Sequence, residues 1–388
     1  MLDHCYNILD LRDEARRRLP SPIFAFLDGG SETERTYRRN TAAFDDVTIT
    51  PRSLVDVAQV RTATHVLGQD IEWPVYCSPT GLSRLFCVDG ELAVARAAAR
   101  AGTLYSLSTA STHSIEQVAA VGDGPKLFQL YVCKDRGLTR MLVERAKRAG
   151  YHVLCVTALP VSGNCERELR TGVFDKPWYR WPLSSVLGFA RHPGWVLKQL
   201  LKGELGFANI ESANGGTAGL DFFTDQLDPS ITWKDIRQIA DWWGGDPLAV
   251  KGLLSADDAR RAVDVGATAV VVSNHGGRQL DGGVATFDAL PEIARAVGDR
   301  IDVILDGGVR RGVHILKALA CGAKACSIGR PYLYGLAAGG EYGVAKALSI
   351  LRCELELAMK IAGCPDIESI NQDLITRVSR LHRSVGVS

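Results

Sequence analysis

Eight short apolar runs, each followed by a helical pattern or a longer connection, constrain this chain more than any other feature. They are Pro74–Pro79, Leu104–Thr109, Lys126–Val132, His152–Ala158, Leu248–Leu253, Ala269–Asn274, Ile301–Gly307 and Ala325–Arg330. Helical periodicity fills the gaps at Gly90–Ala101, Ser114–Ala120, Gly137–Ala149, Trp233–Trp243, Ala256–Val265, Phe287–Val297 and Gly312–Ala320, and a long helical tail spans Gly339–Ile361. Strands that are apolar throughout, alternating with helices, describe a parallel sheet covered on its faces. Eight such units predict an α/β fold closed as a (β/α)8 TIM barrel. A doubly wound open sheet is the alternative.

Barrels often run past about 250 residues as one domain, so the 388 residues are read as a single domain. Residues 1–73 precede the first strand and read as a helical N-terminal cap. Residues 159–232 separate the fourth strand from its helix, which is too long for an ordinary βα loop. An insertion there sits at the active-site face of a barrel and predicts a lid or a docking element.

Composition excludes several classes. Hydrophobic residues at 46% and charged residues at 23% exclude a disordered or fibrous chain. Lys+Arg at 45 against Asp+Glu at 44 argues against a nucleic-acid binder. Met1–Arg18 is amphipathic and charged with no apolar core, so no secretory leader is expected. No uncharged apolar stretch is long enough for a transmembrane helix. The ten cysteines form no CxxC pair, which suits small buried apolar residues in a reducing, cytoplasmic setting and assigns no metal site.

Chemistry in a barrel collects at the C-terminal strand ends. The sixth run ends in Ser273-Asn274-His275-Gly276-Gly277-Arg278-Gln279-Leu280-Asp281-Gly282. A histidine there can act as a base near neutral pH, and an arginine three residues on can grip a carboxylate with its planar fork. The seventh run ends in Asp306-Gly307-Gly308-Val309-Arg310-Arg311-Gly312 and the eighth in Ile328-Gly329-Arg330. Glycines that admit backbone N–H groups, with arginines beside them, suit a phosphate at the usual phosphate end of the fold. Ordinary turn glycines are the plain alternative, and a barrel holding a sugar phosphate is a rival use of the same loops.

The combination SNHGGRQLDG, LDGGVRRG and GRPYLYGLAAGGEYGV resembles the FMN-dependent α-hydroxy acid dehydrogenase/oxidase family. Further matches run from Leu19-Pro20 and Gly29-Gly30 to Gly363-Cys364-Pro365-Asp366-Ile367, covering nearly the whole chain. Pro79-Thr80-Gly81-Leu82, Leu107-Ser108-Thr109-Ala110-Ser111, Phe128-Gln129-Leu130-Tyr131 and Lys251-Gly252-Leu253-Leu254 lean toward its mandelate dehydrogenase branch. The resemblance implies FMN in the barrel mouth and oxidation of an (S)-2-hydroxy acid to the 2-oxo acid. It implies that Pro79, Thr80, Gly81, Ser108, Gln129 and Thr157 line the isoalloxazine and ribityl chain, although a gapless match puts Val156 at the family's threonine. Lys251 would sit near flavin N1, where a positive charge suits the reduced anion. Ser273 would touch the ribityl chain, and Asp306, Gly307, Gly308, Arg310, Gly329 and Arg330 would hold ribityl and phosphate. His275 would be the base, with Arg278 and Tyr131 on the substrate's carboxylate and oxygen.

Three substrate-side positions depart from that pattern. Phe26 stands where the family has a tyrosine, Ala158 where it has the aspartate that orients the histidine, and Cys165 where it has an arginine. Loss of the aspartate should lower the histidine's pKa and loosen it. Each lost charge-assisted bond to a carboxylate costs roughly 1.5–3 kcal/mol. Three explanations follow. The substrate is larger or less anionic, with Phe26 and Cys165 opening an apolar pocket. Glu166 or Arg167 has taken over the lost roles. Or the chain binds FMN with altered or lost catalysis. A covalent role for Cys165 is disfavoured, since a lone cysteine without a base is usually inert.

Residues 173–210 carry Phe174, Trp178, Tyr179, Trp181, Phe189, Trp195 and Phe207, with five Lys/Arg and two Asp/Glu. Aromatic and basic residues on one short segment suit peripheral contact with the inner face of a membrane. In the relatives that the resemblance suggests, this region docks on the membrane, which implies a quinone or oxygen as electron acceptor. A subunit contact or a flavin lid is the alternative, and the resemblance also implies a homo-oligomer, commonly a tetramer.

Overall fold

All eight apolar runs form parallel strands that close on one another. They are β1 (Val75–Thr80), β2 (Tyr105–Ser108), β3 (Lys126–Leu130), β4 (Val153–Thr157), β5 (Leu248–Leu253), β6 (Ala269–Ser273), β7 (Asp302–Asp306) and β8 (Ala325–Ile328). Each pairs with its sequence neighbours, and β8 returns to β1. The molecule is therefore a (β/α)8 barrel and not an open sheet. This computed structural model describes residues 2–159, 161–202, 205–210 and 225–377.

Strand parity divides the core in two. Val153 and Cys155 point into the barrel with Leu127, Ala249, Val271 and Ile304, whereas Leu154 and Val156 belong to the outer cluster under the helices. Both faces of every strand are thus apolar, which is why the strands read as continuous runs. Helices cover the barrel at the expected places, their ends within one or two residues of the periodicity, as at Thr286–Val297 and Arg136–Arg148.

Two elements differ from expectation. The N-terminal cap is only partly helical. Helices Ile8–Arg18, Ser21–Asp28 and Arg35–Ala42 are followed by a strand at Val47–Ile49 and a hairpin, Thr64–Val66 with Gln69–Ile71. Val66, Leu67 and Ile71 join the inner cluster, and Leu67 N–H donates to Asp302 at the start of β7, so the hairpin plugs the barrel's N-terminal end. The C-terminal helix begins earlier than the periodicity showed, at Arg330, and runs to Ala362 through a break at Gly339 and Gly340. Gly340 has φ of +58°, a conformation in which glycine avoids the usual strain.

The long connection after β4 carries helices Glu166–Leu169, Leu183–Ala190 and Pro193–Leu201; its stretch 211–224 lies outside the described residues. Trp195 Nε1 donates to the Leu85 carbonyl and Gln199 Nε2 to that of Arg84, pinning the last of these helices over the loop after β1. Among the described residues no helix is long and apolar enough to cross a membrane.

Candidate active site

A ring of polar side chains lies at the C-terminal ends of the strands, where sequence register brings them level. Ser108 pairs in register with Gln129, Thr157 with Lys251, and Ser273 with Asp306. Ser108 Oγ donates to Gln129 Oε1 at 2.7 Å, and Gln129 Nε2 donates to Thr157 Oγ1 at 2.8 Å. Thr157 follows Val153 and Cys155 on the inward face, so strand parity brings Thr157 to the ring and sends Val156 outward.

The other half of the ring is charged. Lys251 Nζ donates to Asp306 Oδ2 at 2.6 Å and to Ser273 Oγ at 2.7 Å. Ser273 and Ser78 hydroxyls also donate to Asp306, at 2.6 and 3.0 Å. Burial raises the Asp306 carboxyl, but the Lys251 charge and these hydrogen bonds win and hold it below the usual carboxylate range.

Above the ring opens a cavity of about 640 Å³, within the usual size of a cofactor or ligand site. It brings together Pro79, Thr80, Gly81, Ser108, Tyr131, Lys251, His275, Arg278, Asp306, Gly307, Gly308, Arg310, Gly329, Arg330 and Phe26. Gln129, Thr157 and Ser273 underlie it through the hydrogen bonds above. Cys165 does not line it; the buried Sγ lies 4.0 Å from the Arg278 carbonyl, and burial raises its thiol pKa.

His275 sits in the left-handed region at φ +56°, an uncommon conformation for a side-chain-bearing residue and one that marks strained functional sites. Its N–H donates to Ser273 Oγ, and its Nε2 lies 3.5 Å from the Tyr131 hydroxyl. Burial, then the charges of Lys251 and Arg278, push its pKa down to about 3. Burial likewise raises the Tyr131 phenol, keeping it protonated.

Arg278 is held from three sides. Nη1 donates to the Phe26 carbonyl at 2.9 Å and to that of Gly29 at 3.2 Å, and Nη2 donates to Glu168 Oε2 at 2.8 Å. Its Cζ lies 5.1 Å from the Phe26 ring centre. Phe26 in turn packs against Phe174 and Phe86, with ring centres 5.0 and 6.1 Å away. Leu82, Val161, Phe207 and Leu227 extend this apolar wall. Sequence reasoning named Leu82 and Phe207 without placing them here, and it missed Val161, Leu227 and Glu168, because loop residues reveal their partners only once the insertion is folded.

The two residues expected to compensate for the departures are occupied elsewhere. Glu166 pairs with Arg170 at 2.6 Å. Arg167 pairs with Asp28 at 2.9 Å and Glu34 at 2.8 Å, beside the Arg12 and Tyr334 contacts to Asp28. That cluster fixes the cap helix carrying Phe26.

At the opposite end, Gly307 and Gly308 have φ of +120° and +78°. A Cβ on Gly308 would lie 2.0 Å from the Asn40 carbonyl oxygen, so only glycine lets the loop pass. Arg310 and Arg330 flank this loop.

A barrel whose mouth joins a buried lysine and a histidine to an arginine-flanked glycine loop defines a cofactor-dependent enzyme of the phosphate-binding type. Residues 15–377 match the FMN-dependent dehydrogenase family, and the chain belongs to it. It is 44% identical over 374 residues to an L-lactate oxidase of Nostoc sp., covering 95% of this chain and 97% of that one. It is 42% identical over 380 residues to an L-lactate dehydrogenase of Caulobacter vibrioides, covering 96% and 98%. Among solved structures it superimposes on the monotopic membrane protein (S)-mandelate dehydrogenase with a TM-score of 0.91, at 37% identity, covering 97% of this chain and 100% of that one.

The protein is thus an oxidoreductase of the FMN-dependent 2-hydroxy acid type, with FMN as its cofactor. The site fits that group: a cavity of suitable size, a glycine loop along it, and cations at both ends. Such relatives do not favour a flavin-binding role without catalysis.

Proposed function

We propose that this enzyme oxidises a 2-hydroxy acid with a bulky, apolar or aromatic side chain to the 2-oxo acid. The observation that carries this is the lining of the cavity: His275, Tyr131 and Arg278 share it with Phe26, Leu82, Phe86, Val161, Phe207 and Leu227, and Arg278 lies over the Phe26 ring. The phenylalanine in place of a tyrosine gives that lining a ring and no hydroxyl.

His275 Nε2 takes the proton of the substrate hydroxyl, and burial keeps it neutral and ready to accept. The Tyr131 hydroxyl, 3.5 Å away, steadies the substrate oxygen. Arg278 orients the C1 group. Bound FMN supplies the two-electron acceptor for the C2 hydrogen. Lys251 would balance negative charge at the flavin ring, Pro79, Thr80, Gly81, Ser108, Gln129 and Thr157 would line the isoalloxazine and ribityl chain with Ser273 and Asp306, and Gly307, Gly308, Arg310, Gly329 and Arg330 would hold the phosphate.

For the second half-reaction we favour a membrane quinone over oxygen. Trp178, Tyr179, Leu183, Leu187, Leu197, Leu200 and Leu201 are exposed on the insertion, and a monotopic membrane protein superimposes on the chain. The test is anaerobic addition of (S)-mandelate, (S)-lactate and glycolate to the yellow holoenzyme. Bleaching fastest with mandelate is expected. A flavin that stays oxidised with all three would defeat the proposal.

A further inference from the structure

Arg278 carries the cationic fork on the substrate side of the cavity, and the chain already supplies a carboxylate to it. Nη1 is spent on two backbone carbonyls and Nη2 on Glu168 Oε2 at 2.8 Å. The two side chains are 24% and 15% exposed, so water screens the pair poorly. Cys165, where the family has an arginine, adds no charge in its buried setting. The neighbouring cations are committed: Arg330 shares the Gly29 carbonyl with Arg278 and also donates to the carbonyls of Leu27 and Gly276, Lys251 pairs with Asp306, and Lys134 is exposed at the rim.

We infer that Glu168 is a specificity-determining residue: an internal carboxylate on Arg278 that lets the site take uncharged C1 groups, the amides and esters of 2-hydroxy acids, about as well as the free acids. This deepens the proposed function and rests on it. A guanidinium has five N–H donors. An amide or ester carbonyl needs only one of those left over and leaves the pair intact. A substrate carboxylate must share the fork with a like charge or displace Glu168, stranding it half-buried beside Phe26 and Cys165. Discrimination is then set by a repulsive element as much as by an attractive one.

The test is calorimetric titration of the holoenzyme with benzoylformate and with benzoylformamide, a 2-oxo pair that reports binding without turnover. Wild-type dissociation constants within about tenfold of each other are expected. Glu168→Gln should tighten the acid by about tenfold or more and leave the amide within about threefold. Glu168→Ala should move the same way, and retained flavin absorbance checks that each variant is folded. A wild-type preference for the acid beyond about tenfold, or a ratio that neither substitution changes, overturns the inference. If (S)-mandelate still bleaches the flavin in that case, the proposed function stands without it. Failure of both ligands to bind, with no bleaching, overturns both.

Discussion

His275 is a base made by subtraction. Burial and the charges of Lys251, Arg278 and Arg330 deny it a proton, and Asp306 offsets them only in part, so its pKa falls from 6.5 to about 3. The consequence for rate is an acid limb displaced far below neutrality. With the variable-pH data taken under anaerobic, substrate-limited conditions, kcat/KM should stay flat between about pH 8 and 5. Ala158→Asp, restoring a partner, should bring the limb up toward about pH 6; an unmoved profile would show that residue 158 does not face the imidazole. The sign for stability is opposite to that of a paired histidine. The folded form binds its proton later than the unfolded chain, so His275 contributes fully above about pH 6.5 and loses that contribution as pH falls toward 3. His314, lowered to about 4 chiefly by burial, acts the same way. The urea midpoint should therefore decline from about pH 6.5 downward, and His314→Asn should flatten part of the decline. Cys165 makes the complementary case. Cys165→Arg adds a cation beside Glu168 and frees part of Arg278, so kcat/KM on (S)-lactate should rise roughly 10- to 100-fold, the equivalent of about 1.5–3 kcal/mol. Steady-state kinetics with FMN retained would decide it.

Strands β5, β6 and β7 present Lys251, Ser273 and Asp306 as one buried unit, and its members cannot be removed singly without cost. Lys251→Met leaves a buried carboxylate unpaired, which costs about 3–5 kcal/mol. Adding Asp306→Asn should recover part of that loss, because the stranded charge is gone. Urea denaturation of the flavin-free single and double variants measures both. A single variant as stable as the parent would mean Asp306 finds another partner. The strands bearing this unit were legible in the sequence because both of their faces are apolar, and the loops at their ends because glycine, arginine and histidine cluster there. Thr157 was chosen in the sequence against a gapless match that favoured Val156, and the in–out parity of the folded strand brings Thr157 to the ring. The hairpin Thr64–Val66 and Gln69–Ile71 was hidden because three-residue strands carry too little periodicity to read. Glu168 was hidden because its partner is 110 residues away.

At the scale of the molecule, the barrel buries its apolar residues and the insertion displays them. Trp178, Leu200 and Leu201 are 74%, 75% and 76% exposed on a segment that also carries Arg180, Arg191, Lys198 and Lys202. Contiguous exposed apolar groups mark an interaction face, and basic residues around them favour an anionic lipid surface. Behind that face lies an apolar cavity of about 530 Å³, walled by Phe174, Trp181, Phe189, Trp195 and Leu200. It shares Leu82 and Phe207 with the catalytic cavity, so the same two side chains separate the surface from the candidate flavin site. An acceptor dissolved in lipid would meet the enzyme on this side. The holoenzyme should therefore co-sediment with vesicles containing anionic phospholipid and release as salt is raised. Replacing Trp178, Leu187, Leu200 and Leu201 by serine should weaken vesicle binding more than tenfold, since burying each such side chain is worth about 1.5–3 kcal/mol. The same variant should keep its rate with a soluble dye as acceptor, because none of the four lines the catalytic cavity. Wild-type protein that stays in the supernatant at low salt would assign the face to another copy of the chain instead, and a fall in sedimentation coefficient on making the fourfold variant would then identify that contact.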